Sequence, residues 1–274
     1  MGILIGIDAG GSSVKTAALS GGKIICAERV DGAFPLCGDF GPLRTFLDAN
    51  GLRVSDVERI CTTGVGSSFL TGDICGIPTD TIPEFAAVGR GGLWLAGVKK
   101  AVVVSIGTGT SFVLADGKSF IHLGGSGVGG GTFMSLGRKL TGAAGFDELC
   151  ALAKMGHPAN VDITVGDISN DSIGNLSADV TAANLSKPLE NASAEDLAAG
   201  VLNMVLETVF ALAVFAARGA GLAEGPVVLT GSLAKEEHAA VVRETFSRLH
   251  PTRFILPDSA EFAAAAGAAL TVCV

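Results

Sequence analysis

No CxxC pair, no cluster of histidines and no Lys/Arg-rich run occurs in this sequence. The first two absences leave the six cysteines (Cys26, Cys37, Cys61, Cys75, Cys150, Cys273) without a zinc-site spacing, so they read as scattered thiols of a reducing compartment. The third, with 19 basic against 27 acidic residues and a net charge of -8, argues against nucleic acid and anionic membrane as partners. The N-terminus lacks a basic region followed by a long apolar core: Asp8 and Gly10 break the apolar stretch at once, and the chain reads as cytoplasmic. Residues 205–217 and 260–274, the most apolar later segments, are too short or too alanine-rich to span a bilayer.

Glycine is in excess, at 39 of 274 residues, and it clusters instead of recurring with a fibrous period. Residues 3–8 form an apolar run that ends on Asp8 and the turn Gly10-Gly11-Ser12-Ser13, after which residues 14–19 resume strand composition. The same strand, turn, strand design returns at 101–117, where Ser105 and Ile106 lead into Gly107-Thr108-Gly109-Thr110-Ser111. A third apolar strand, 227–229, ends at Thr230-Gly231-Ser232. Helical stretches are expected at 41–49, 84–96, 132–141, 146–155, 194–219, 234–248 and 260–270. Apolar spacing in the longest suits a helix buried between sheets or across a subunit contact. Residues 157–192 read as an irregular, lid-like excursion. Two halves that open with the same hairpin imply two α/β domains facing each other across a ligand cleft, divided as 1–97 and 98–274.

Each glycine cluster has a chemical and a plain reading. Gly10 and Gly11 permit a turn whose backbone N–H groups converge like a phosphate nest, with Ser12 and Ser13 as hydroxyl donors; the plain reading is an ordinary hairpin. This turn is neither GxxxxGK[ST] nor GxGxxG, which argues against P-loop and Rossmann folds. Asp8 cannot bind phosphate, and a carboxylate beside such a nest suits magnesium. Lys15 offers a point charge or caps the hairpin. Gly107, Thr108 and Gly109, paired with the first motif, read as a second phosphate contact; the plain reading is a β-hairpin with a threonine-rich turn. The run from Gly124 to Thr132, with Gly129, Gly130 and Gly131 before a helix expected from Phe133, suits a nucleotide at a helix N-terminus or a flexible hinge. Glu84 begins an apolar, alanine-rich helix. There it is a helix N-terminal acid, or a carboxylate whose apolar flanks raise its pKa towards general-base values.

Together, residues 7–11, 105–111 and 228–232 resemble the two phosphate motifs and the adenosine motif of the acetate and sugar kinase, Hsp70 and actin superfamily. In detail the chain resembles the type II pantothenate kinases, through Pro83-Glu84-Phe85, the Gly124–Gly131 run followed by Thr132-Phe133, Asn160-Val161-Asp162 and residues 181–185. The resemblance implies two ribonuclease H-like (actin-like ATPase) domains around a nucleotide cleft, and transfer of a phosphoryl group from ATP, with Mg2+, to the primary hydroxyl of pantothenate, the first step of coenzyme A synthesis. It implies that Glu84 is the catalytic base, Asp8 the magnesium-associated acid and the Gly10–Lys15 turn the phosphate loop. It also implies that Thr108 and Ser111 contact phosphate and pantoate hydroxyls, and that Gly231 and Ser232 flank the adenosine. A homodimer through the helix near 196–219 and a coenzyme A or acyl-coenzyme A feedback ligand are further implied partners.

The sequence departs from the family in two ways. His122 stands where the family carries a substrate-binding Arg, and a histidine cannot give the bidentate fork of a guanidinium. Tyrosine is absent altogether, so any tyrosine contact of the relatives is replaced or lost. Two alternatives accompany the resemblance: a same-fold kinase for an amino sugar or other small alcohol, and a nucleotide-dependent regulator or activator. Phe85-Ala86-Ala87 after Glu84 suits a pantetheine-like chain better than a sugar, and the cysteines are not arranged to hold a cluster.

Overall fold

The computed structural model describes residues 2–32, 40–70, 72–169, 174 and 176–273. Cys37 lies outside them. The first half contains β1 (Ile3–Ala9), β2 (Ser13–Ser20), β3 (Lys23–Asp31), α1 (Gly41–Ala49), β4 (Val57–Thr63), β5 (Thr79–Thr81) and α2 (Glu84–Ala96). The second half opens with β6 (Ala101–Ile106), β7 (Thr110–Ala115), β8 (Phe120–Ser126), α3 (Gly130–Thr141) and α4 (Phe146–Met155). It continues with β9 (Ile163–Thr164), α5 (Val165–Ile168), β10 (Thr181–Ala183), α6 (Ala194–Gly219), β11 (Pro226–Gly231), α7 (Glu237–Leu249), β12 (Arg253–Ile255) and α8 (Ala263–Ala269).

Two five-stranded sheets have the same topology. The first has the order β3-β2-β1-β4-β5 and the second β8-β7-β6-β11-β12. In both, two antiparallel hairpin steps lie on one side of the leading strand and two parallel strands on the other. The repeated hairpins thus open two α/β halves of one topology, the doubled ribonuclease H-like architecture that the family resemblance implies.

Each sheet has an outer and an inner face, set by the two-residue alternation of its strands. Outside the first sheet, Ile5, Ile7 and Val14 pack with Leu43, Phe46 and Leu47 of α1. Outside the second, Val102, Val104 and Phe112 pack with Phe133, Leu149, Val205 and Phe210 from α3, α4 and α6. The inner faces meet through α8, which packs on β1, β2 and β4, and α2, which packs on β6, β7 and β8. These two helices cross at backbone distance. A Cβ on Gly91 would fall 1.8 Å from the Ala263 carbonyl oxygen, one on Gly267 1.9 Å from that of Ala87, and one on Gly6 of β1 1.8 Å from that of Ala265. At these three positions even a methyl has no room, so glycine is a packing requirement here.

That geometry corrects one expectation. The helices between the sheets are α2 and α8, whereas α6 lies on the outer face of the second sheet, where its Leu, Val and Phe side chains have room. Ser193 caps α6 by accepting from the Asp196 N–H at 3.1 Å, Glu195 and Asp196 suit the first turn, and Arg218 the last. At 26 residues α6 exceeds the 205–217 segment marked in the sequence, and by length and composition alone it could cross a membrane; 72% of its most apolar window is instead buried inside this fold.

The lid-like reading of 157–192 is also corrected. Its described residues dock on α6: Asp162 accepts from Asn203 Nδ2 at 2.8 Å and from the Leu185 N–H at 2.7 Å, and Asp196 accepts from the His157 N–H at 2.8 Å. None of its described residues lines the cleft.

Candidate active site

Between the inner faces opens a cleft of about 1000 Å³. Of the residues expected to act in catalysis or to bind nucleotide, acceptor or metal, all line it except Gly129 and Gly231. Those two work one step back. Gly231 has φ +97°, and a Cβ there would fall 2.2 Å from the Ile106 carbonyl oxygen; on Gly129 it would fall 2.8 Å from the Gly109 backbone. Both allow backbone to pass close behind the second turn.

The two hairpin turns face each other across the cleft and touch, with Ser12 Oγ 2.9 Å from Thr108 Oγ1. They are braced differently. In the first turn the Gly10 N–H donates to the Ser13 carbonyl and the Gly32 N–H to that of Ser12. The second turn is tied to the start of α3: the Gly130 N–H donates to the Gly107 carbonyl and the Gly131 N–H to that of Thr108, both at 2.8 Å. This revises the reading of the third glycine cluster. Two amides expected to face a ligand are spent on the second turn, so these glycines act first by close backbone approach. Gly124, Gly125 and Ser126 belong to β8 rather than to a loop, and α3 begins at Gly130, two to three residues earlier than expected.

Strand pairing lines up the chemistry. Asp8 of β1 is opposite Lys15 of β2, which is opposite Arg29 of β3. Laterally paired residues share a face, so the three form one row on the inner face of the first sheet. The equivalent row of the second sheet is Ser105, Ser111 and Gly125. Burial pushes the Asp8 carboxyl above the usual Asp range, and Lys15, itself buried, pulls it back down. Gly64, with φ +86°, leaves Asp8 its space: a Cβ there would fall 2.7 Å from Asp8 Oδ1.

Glu84 opens α2 directly after Pro83. Its carboxylate is reachable from the cleft, yet the surrounding walls desolvate it and raise its pKa; the charge of Asp8 raises it further and His122 lowers it. Asp8, Glu84 and His122 therefore share one electrostatic site. His122 is an exposed residue of β8, not a core histidine, and its ring stacks on Phe85 at 4.1 Å between centroids and 5° between planes.

Sequence reasoning missed Arg29, Asp31 and Arg138 in the cleft wall. The available signal for Arg29 was Gly21-Gly22 after β2: both have positive φ, +58° and +71°, as a two-residue hairpin turn requires, and that hairpin brings β3 alongside Lys15.

The Fumble family model matches residues 100–247. A Bacillus cereus (strain G9842) protein named type II pantothenate kinase is 31% identical over 217 residues, 76% of each chain. This chain belongs to the type II pantothenate kinase family. A family member of the same name from Staphylococcus aureus (strain USA300) is 30% identical over 176 residues, 61% of this chain and 66% of its own. Among solved structures, the activator of 2-hydroxyisocaproyl-CoA dehydratase from Clostridium difficile with bound ADPNP aligns with a TM-score of 0.67 at 21% identity, over 98% of this chain and 93% of that one. A ROK family glucokinase from Streptomyces griseus in complex with glucose and AMPPNP aligns at 0.57 and 13%, over 98% and 99%. These structures share the fold, and the sequence relatives carry the type II pantothenate kinase family assignment.

Proposed function

We propose that the chain is an ATP-dependent kinase that phosphorylates pantothenate to 4'-phosphopantothenate, opening coenzyme A synthesis. The carrying observation is the meeting of Asp8, Glu84 and both hairpin turns in one cleft, in a chain that belongs to the type II pantothenate kinase family. Phosphoryl transfer asks the protein chiefly for positioning and charge neutralisation, and the site offers both. The Gly10–Ser13 and Gly107–Gly109 turns, with Lys15, face the phosphates, while Ser232 lies on the adenosine side with Gly231 behind it. Thr108 and Ser111 meet phosphate and acceptor hydroxyls. Glu84 takes the proton of the attacking hydroxyl, and its raised pKa suits a group that must both accept and release it.

Asp8 fits magnesium. Its carboxylate is desolvated in the cleft wall, and among the described residues no cluster of three or more His, Cys, Asp or Glu side chains forms a protein cage. An ion held by one carboxylate, water and substrate phosphates needs no such cage. When bound, Mg2+ supplies charge neutralisation at the phosphates.

The two lobes of this reading are 1–97 and 98–274, with α8 returning from the second to pack on the first sheet. The working enzyme is cytoplasmic and homodimeric, using the part of α6 left uncovered around the exposed Phe215, and a coenzyme A species enters the acceptor end of the cleft as a feedback ligand. The testing experiment is a coupled ADP-release assay with Mg-ATP and pantothenate, pantetheine, N-acetylglucosamine or no acceptor. Release that depends on pantothenate is expected. Release with the amino sugar alone, or with no acceptor, overturns the assignment.

A further inference from the structure

The charged row ends in a group that the proposed reaction leaves unused. Arg29 lines the cleft, and its side chain is only 19% exposed. Its Nη2 donates to Asp31 Oδ1 at 2.6 Å, and its guanidinium carbon sits 4.6 Å from the ring centroid of Phe146, at the start of α4. Arg29 thus reaches from the first sheet to a helix of the second half. Its Nε is buried and has no hydrogen-bond partner among the described residues, which therefore do not use all the donors of this fork.

Arg29 stands at the far end of the charged row, one strand spacing, about 5 Å, beyond Lys15. It stands two strand spacings, about 10 Å, from Asp8 along the row. The acceptor of the proposed reaction has its carboxylate eight bonds from the hydroxyl that reacts, about 9 Å when extended, by the reach of a bonded chain. Nearer the reacting centre, both turns and Lys15 already meet phosphate. On the opposite wall, His122 is stacked flat on Phe85 and has no planar fork to offer a carboxylate. A guanidinium held by a stacked ring and one carboxylate is presented in a fixed orientation, which suits bidentate recognition.

We propose that Arg29 holds the carboxylate of the acceptor and supplies the anion recognition that His122 does not. The proposal rests on pantothenate being the acceptor. Arg29 acts on specificity and binding, and Glu84 remains the group that handles the proton.

The test compares wild type, Arg29→Gln and Arg29→Lys in steady-state kinetics with pantothenate, with pantetheine and with varied ATP. Pantetheine carries the same hydroxyl but no carboxylate, and it is read as a substrate or as a competitive inhibitor. For Arg29→Gln, kcat/KM for pantothenate should fall about 10- to 100-fold, mostly through KM, as expected for loss of a charge-assisted hydrogen-bonded pair. The pantetheine constant and the KM for ATP should stay within about twofold of wild type, since neither uses that pair. Arg29→Lys should recover part of the loss, having the charge without the fork. Equal losses with both acceptors would make Arg29 a structural residue, and a raised KM for ATP would make it a phosphate ligand; either overturns the proposal. A wild-type enzyme that neither phosphorylates nor binds pantothenate refutes the functional reading and this assignment with it, whereas an active wild type whose Arg29→Gln variant does not discriminate the acceptors removes Arg29 alone.

Discussion

The two sheets share strand order and direction, yet the rows they present to the cleft are chemically opposite. At equivalent positions the first carries Asp8, Lys15 and Arg29, and the second Ser105, Ser111 and Gly125. The turns above them differ as well, the second being braced by amides of α3 and the first by its own strand ends. A duplicated fold has thus divided its labour. One wall supplies fixed charge, and the other supplies small hydroxyls and a backbone that can be approached closely.

Removing the group that works between the walls is expected to have the largest effect. Glu84→Gln should retain nucleotide binding and lose turnover by about two to four orders of magnitude, the usual share of a general base, as measured by single-turnover kinetics beside nucleotide titration. The wild-type pH profile sharpens the point. A base must be ionised, and Glu84 is raised above its ordinary value of 4.5, so kcat/KM should fall on acidification with a midpoint above 4.5. His122 lowers the Glu84 pKa, so His122→Gln should move that midpoint to higher pH; an unmoved midpoint would separate His122 from Glu84.

Next in size is the contact that joins the walls. Thr108→Val removes the partner of Ser12 at 2.9 Å, and one lost hydrogen bond of about 1 kcal/mol corresponds to roughly fivefold in kcat/KM. A Ser12→Ala, Thr108→Val double variant no worse than either single one would show that the contact acts as a unit. The smallest effect is expected for Ser105→Ala, the counterpart of Asp8. It removes one hydroxyl from the neutral wall and should leave kcat within about threefold, the scale of a weak hydrogen bond. A loss comparable to that of an Asp8→Asn variant would erase the distinction between the walls.

How much of this was legible in the sequence follows the same division. Both leading hairpins were readable, because apolar strands interrupted by Gly-Gly-Ser-Ser or Gly-Thr-Gly-Thr carry their turn chemistry locally. Helices 41–49, 84–96, 146–155 and 194–219 were readable, the last from its apolar spacing, and match the observed bounds. The third strand of each sheet was not. β3 is an edge strand of mixed polarity, and β8 ends in glycines that look like loop until Gly125 is paired with Ser111. The site suffered accordingly. Asp8, Lys15, Glu84 and Thr108 lie beside recognisable turns or helix starts, whereas Arg29 enters the cleft only through the register between β2 and β3, a relation between distant residues that composition does not encode.

The alanine run of α8 gains a mechanical meaning from its place. Residues 263–269 are all Ala or Gly, all are buried, and their backbone touches β1 on one side and α2 on the other. Such a helix behaves as a shim. Its thickness sets the spacing between the wall that carries Asp8 and the helix that carries Glu84, so a single added methylene there would detune the gap between the two carboxylates without touching either.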